Sequence, residues 1–109
     1  MAIHIRSNDN CTIVSIEGEV DLYSVAELRK EILKLIDDNI SCLIIDMSKL
    51  NYMDSSGIAL MANLKKKMKA KEKKFGLLHV SDDIMDVLKL AALEKFFNIY
   101  KDESEIETT

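Results

Sequence analysis

Proline is absent from this chain, and glycine occurs only at Gly18, Gly57 and Gly76. A glycine-rich phosphate loop needs several glycines in one short turn, and three scattered ones cannot build it. Histidine is equally scarce. His4 and His79 both fall in strand-like runs with no second ligand at metal spacing, which argues against a zinc site. No apolar run approaches the length of a membrane span, and no basic-apolar-small pattern opens the chain. A cytoplasmic address without a membrane partner is therefore expected. Positive charge is also in deficit, 15 Lys and Arg against 19 Asp and Glu, for a net charge of −4. That balance disfavours nucleic acid as a direct partner. The two cysteines, Cys11 and Cys42, lie far apart in apolar strand-like runs and read as small buried hydrophobes.

What is present suits one soluble domain: 109 residues, 48% apolar and 31% charged, enough to bury a real core. Residues 2–6, "AIHIR", and 11–17, "CTIVSIE", are β-branched runs flanking the polar cluster "SNDN", the pattern of an antiparallel hairpin. "GEVDLY" reads as a loop. Residues 24–37 then read as a helix with Ser24 and Glu27 as a capping box and an apolar stripe of Val25, Leu28, Ile32, Leu35 and Ile36. "CLIIDM" (42–47) has the unbroken apolar run of a strand buried on both faces. A second helix is expected over 56–70, a strand over 75–80, and a helix capped by Ser81 running to about 90. "FFNIY" (96–100) reads as a last strand, and 102–109 as an acidic tail or frayed helix beyond a single domain at 1–101.

The order β-β-α-β-α-β-α-β predicts an α/β fold: a mainly parallel mixed sheet of four to five strands, an N-terminal antiparallel hairpin, and three to four helices.

In such folds, functional groups gather beyond the carboxyl ends of the strands. Asp54-Ser55-Ser56-Gly57 lies on one of those connections and opens a helix. Asp54 or either serine could cap that helix. Yet three capping groups exceed what one helix start can use, so one hydroxyl is expected to face solvent. On a helical wheel Gly57, Leu60, Met61, Leu64 and Met68 form the core stripe, while Ile58, Ala59 and Ala62 fall outside it. Low apolar side chains beside an exposed serine would suit a partner surface. The "GEVD" loop, Glu19 and Asp21 included, could lie at the same end of the sheet. A serine hydrolase is disfavoured, because no histidine base is placed for either serine and no glycine-flanked nucleophile elbow exists. The lysine-dense "KKKMKAKEKK" (65–74) reads as helix-end solvation, with docking to an acidic partner as its functional alternative.

"MDSSGIALM" after an apolar strand, "GEVDLYSVAELRKEI" upstream and "LKLAALEKFFNIY" near the end together resemble the STAS domain. More narrowly, they resemble the bacterial anti-sigma factor antagonists. The likeness spans residues 2–100, and the D-S-[ST]-G motif with an upstream G-[DE]-[VIL]-D is fairly specific. It implies a partner switch rather than an enzyme, with no cofactor. In that family an anti-sigma factor that is also a serine kinase phosphorylates the motif, and a serine phosphatase reverses the mark. The unphosphorylated antagonist binds the kinase and frees the sigma factor. By this resemblance Ser56 is the acceptor, Ser55 the second choice, and Asp54, Ser55, Gly57 and Asp21 support it. Glu19, Ile58, Ala59 and Ala62 would face the partner. Ile58-Ala59 departs from the leucine-glycine common in the family, which bears on the contact face and not on the acceptor. With no long apolar face left over, the free chain is expected to be a monomer. The alternative is a STAS scaffold or accessory subunit, in a signalling assembly or transport ATPase, with no phospho-switch.

Overall fold

The computed structural model describes the backbone of residues 1–108 and the side chains of 1–106. Strands β1 (Ala2–Asn8) and β2 (Cys11–Val20) form the expected hairpin, in register from Ala2 opposite Glu17 to Asn8 opposite Cys11. Asp9 turns the corner at φ 53°, a left-handed conformation that aspartate tolerates better than most residues. Helix α1 (Val25–Asp37) follows, then β3 (Cys42–Asp46), β4 (Leu50–Met53), α2 (Ser55–Ala70), β5 (Lys74–Leu78), α3 (Asp82–Leu90) and β6 (Ile99–Tyr100). A 3-10 helix, Glu103–Thr108, lies where the acidic tail or frayed helix was anticipated.

The sheet has six strands in the order β1-β2-β3-β5-β6, with β4 also paired to β2; every pairing after the hairpin is parallel. Period-two alternation splits the strands between two faces. Val14, Ile16, Leu43, Ile45 and Leu77 join the core under the three helices, whereas Ile13, Ile44 and Leu78 face the other way. That second face is closed by Tyr100 and by Ile106 of the 3-10 helix, with Arg6 and Asn8 both donating to Glu103. Strand β3 is consequently buried along its whole length, as its unbroken apolar run predicts.

Three local expectations are corrected. "GEVDLY" is not all loop: β2 runs through Val20, shifts register between Gly18 and Glu19, and pairs its last residues with β4. Gly18 sits at φ 105°, which explains why glycine stands at that irregularity. The Ser24 capping box does not form, because the Ser24 hydroxyl accepts from the Asp21 amide instead. The cysteines are not separate hydrophobes: Cys11 and Cys42, at adjacent positions on β2 and β3, are disulfide-bonded.

Candidate functional site

Strand β4 delivers the chain to the Asp-Ser-Ser-Gly turn, where Asp54 is the N-cap of α2 in an extended conformation. Its Oδ1 accepts from the amides of Ser56 at 2.9 Å and Gly57 at 3.3 Å, and from the Ser56 hydroxyl at 2.5 Å. Its Oδ2 accepts the amide of Leu22 at 3.1 Å, and its own amide donates to the Val20 carbonyl. The Ser56 hydroxyl, ahead of the amides, holds the Asp54 carboxyl below the usual carboxylate range. Aspartate, not serine, is thus the cap.

The two serines differ in setting. Ser55 is exposed, and among the described residues its hydroxyl makes no hydrogen bond. Ser56 is half-buried, its proton directed at Asp54 and its side chain lining an open groove between α1 and α2. Gly57 is buried where the helix meets the sheet. A Cβ there would stand 2.5 Å from Met53 Cγ and 3.0 Å from Val20 Cγ1, so only glycine lets α2 start so close to β2 and β4.

The "GEVD" segment does lie at this end of the sheet, with Glu19 and Val20 paired to Tyr52 and Met53. Asp21 serves its own turn, its Oδ1 accepting the amides of Tyr23 and Ser24. Among the described residues it makes no bond to either serine of the motif; its turn shapes the loop that reaches Asp54 through Leu22. That turn pushes Leu22 and Tyr23 outward, 69% and 92% exposed, near exposed Glu19 and half-exposed Tyr52. Ala59 is exposed and Ala62 half-buried. Ile58 is corrected: it is 6% exposed and packed in the main core, because α2 abuts both the sheet and α1 and needs a wider apolar stripe than the wheel allowed.

A second polar cluster lies at the ends of β3 and β5. Asp46, 7% exposed, accepts from Ser15 at 2.9 Å, from the Ser48 amide at 3.0 Å, and is 3.1 Å from His79 Nδ1. Burial raises its carboxyl, but these hydrogen bonds outweigh it, and the net direction is down. His79 therefore belongs to Asp46 and not to either serine of the motif. In the lysine-dense stretch, Lys65 lies 4.4 Å over the Phe96 ring and donates to the Phe96 carbonyl; burial, then Lys69, lowers its pKa. Arg29 and Asn63, on the walls of the α1–α2 groove, and the exposed Leu22, Tyr23 and Tyr52 are residues at this end that the sequence reasoning missed. The i, i+4 spacing of Val25 and Arg29 places the arginine at the edge of the α1 stripe, but which helix it would face is not a local signal.

The model of the STAS domain matches residues 2–106. The chain belongs to the STAS domain family. Among relatives, this STAS chain is 26% identical to the anti-sigma-B factor antagonist of Staphylococcus aureus, over 96% of each chain. Its fold is that of SpoIIAA, an anti-sigma factor antagonist, in the unphosphorylated form: TM-score 0.82 at 22% identity, over 98% of this chain and 95% of that one. The phosphorylated form of the Bacillus cell fate determinant SpoIIAA superposes with a TM-score of 0.74 at 22% identity, over 98% of both chains. Among the described residues, no helix of this STAS domain is long and apolar enough to cross a membrane.

Proposed function

We propose that this STAS domain is an anti-sigma factor antagonist working by partner exchange. Its unphosphorylated form binds an anti-sigma factor that is also a serine kinase and so releases a sigma factor, in the cytoplasm. Phosphate on Ser56 ends that binding, and a serine phosphatase restores it. The observation that carries this reading is the hydroxyl of Ser56, a residue lining an open groove, aimed at a charged Asp54 carboxylate. The carboxylate orients the nucleophile and can take its proton as the γ-phosphoryl of ATP is transferred. The exposed Leu22, Tyr23, Glu19 and Ala59, with half-exposed Tyr52 and half-buried Ala62, supply the contact face. Apolar and aromatic anchors around a polar group suit a reversible interface.

Phosphorylation then acts at the interface. Phosphoserine carries about −1.5 to −2 charge. About 6 Å from one partner carboxylate, at an effective dielectric of roughly 20, it would cost about 5 kcal/mol, more than three decades in affinity. No refolding is required.

Phosphosite mapping by mass spectrometry, after incubation with ATP and lysate of the source cell, tests this directly. Phosphate at Ser56 that vanishes in Ser56→Ala supports the reading. Phosphate on Ser55 moves the acceptor by one residue. A chain that stays unmodified while its kinase is present overturns the switch.

A further inference from the structure

The groove between α1 and α2 holds about 440 Å³, with Val25, Ala26 and Arg29 on one wall and Ser56, Ala59 and Asn63 on the other. Ser56, Ala59 and Asn63 follow at i, i+3 and i+7, so they line one face of α2; Val25 and Arg29 are one turn apart on α1. Among the described residues lining it, Arg29 is the only ionisable one. Among the described residues, Arg29 makes no ion pair and no hydrogen bond through its side chain. Asn63 adds a buried Oδ1 without a hydrogen-bond partner. Arg29 is exposed, so its guanidinium is open to solvent and available to an anion that enters the groove.

Transfer of a phosphoryl group to Ser56 forms the Oγ–P bond, breaks the bridging P–O bond to ADP, and releases the hydroxyl proton. Ser56 then loses the O–H that it donates to Asp54 Oδ1, and two anions face each other across that former hydrogen bond. The cap offers no alternative, since the Asp54 carboxylate already takes the amides of Ser56 and Gly57. Repulsion drives the phosphate away from Asp54, and the other open side of Ser56 is the groove. There the guanidinium fork matches phosphate oxygens in a bidentate pair.

We propose that Arg29 receives the phosphate of phosphorylated Ser56, so that the modification bridges α2 to α1 and fills the groove. This rests on Ser56 as the phosphoacceptor. The pairing closes the groove as well as adding charge, so the phosphorylated surface differs from the free one in shape and not only in sign.

The test uses the full chain with phosphoserine incorporated at position 56 during synthesis, titrated by 31P NMR. Arg29→Gln should raise the second phosphate pKa by about half a unit or more at low salt, because the guanidinium favours the dianion. The difference should shrink at about 1 M salt, where the screening length is near 3 Å. Arg29→Lys, which keeps the charge without the fork, should fall between the two. Lys30→Gln, at an exposed neighbour outside the groove, should leave the titration in place. Superimposed curves for Arg29→Gln and the parent would overturn the pairing, as would an equal shift in Lys30→Gln. Because the phosphate is installed without a kinase, either result leaves the phosphorylation reading standing. Conversely, an unmodified Ser56 in phosphosite mapping would overturn that reading while the titration still decides what Arg29 does.

Discussion

The backbone N–H of Leu22 donates to Asp54 Oδ2 at 3.1 Å, across 32 residues of chain. One carboxylate thereby caps α2 with one oxygen and holds the exposed Leu22-Tyr23 loop with the other. Asp54→Ala should release both. The expected result is a Tm lower by about 5 °C, as for loss of a good N-cap, together with faster amide exchange at Leu22. Asp54→Asn should recover most of the Tm, since its side-chain oxygen still caps. Unchanged exchange at Leu22 in Asp54→Ala would show that the loop is held by something else.

Gly57→Ala sets two effects against each other. Alanine gains up to about 1 kcal/mol of helix propensity, less so in a first turn. Its Cβ, however, would stand 2.5 Å from Met53 Cγ and 3.0 Å from Val20 Cγ1. Overpacking of this kind costs about 1–3 kcal/mol, so the net change should be a loss of roughly 1 kcal/mol in urea denaturation. Gly57→Val should cost more, with a larger branched side chain against the same two neighbours.

The Cys11–Cys42 disulfide closes a loop of 31 residues. Constraint of the unfolded chain by such a loop is worth about 3.7 kcal/mol in the chain-entropy account, or roughly 15 °C in Tm for a domain of this size. A thermal scan with and without a phosphine reductant should show that difference. The paired Cys11→Ser, Cys42→Ser variant should melt with the reduced protein and no longer respond to reductant.

Acid should weaken the fold through two carboxylates in particular. The pKa of Asp46 is lowered net, hydrogen bonds outweighing burial, and that of Asp54 is lowered first by the Ser56 hydroxyl. A carboxyl with a depressed folded pKa stabilises fully above its unfolded pKa, near 3.9, and that stability drains as pH falls through the folded value. Chemical denaturation from pH 7 down to about 2 should therefore show stability falling below about pH 4. Asp46→Asn should start lower at neutral pH and lose less on acidification.

The long, strongly patterned elements were legible in the sequence. Helix α2 begins one residue from its expected start, and Gly57, Leu60, Met61, Leu64 and Met68 are all buried. The Ser81 hydroxyl caps α3 by accepting the Ile84 amide. What escaped depends on contacts between distant segments. Strand β4 is four residues long with exposed Asn51 and Tyr52, and exists because β2 bends at Gly18 to pair with it. The Ser24 pattern is a good capping box, but the Asp21 turn competes for the same hydroxyl. Cys11 and Cys42 become neighbours only through the parallel register that sets Thr12 opposite Leu43. At the site, Asp54-Ser55-Ser56-Gly57 announces itself by composition, whereas Arg29 and the burial of Ile58 follow from how α1 lies against α2.

The Asp54–Ser56 contact also limits how this protein can be imitated in a test tube. An aspartate substituted at position 56 would set a second carboxyl beside the first, and two such groups share a proton and titrate as a pair. Near its upper midpoint the substituted chain would be a mixture of charge states set by the buffer. Glutamate, one methylene longer, could reach past that neighbour toward Arg29. The two customary stand-ins for phosphoserine would then report different molecules, one governed by acidity and the other by reach.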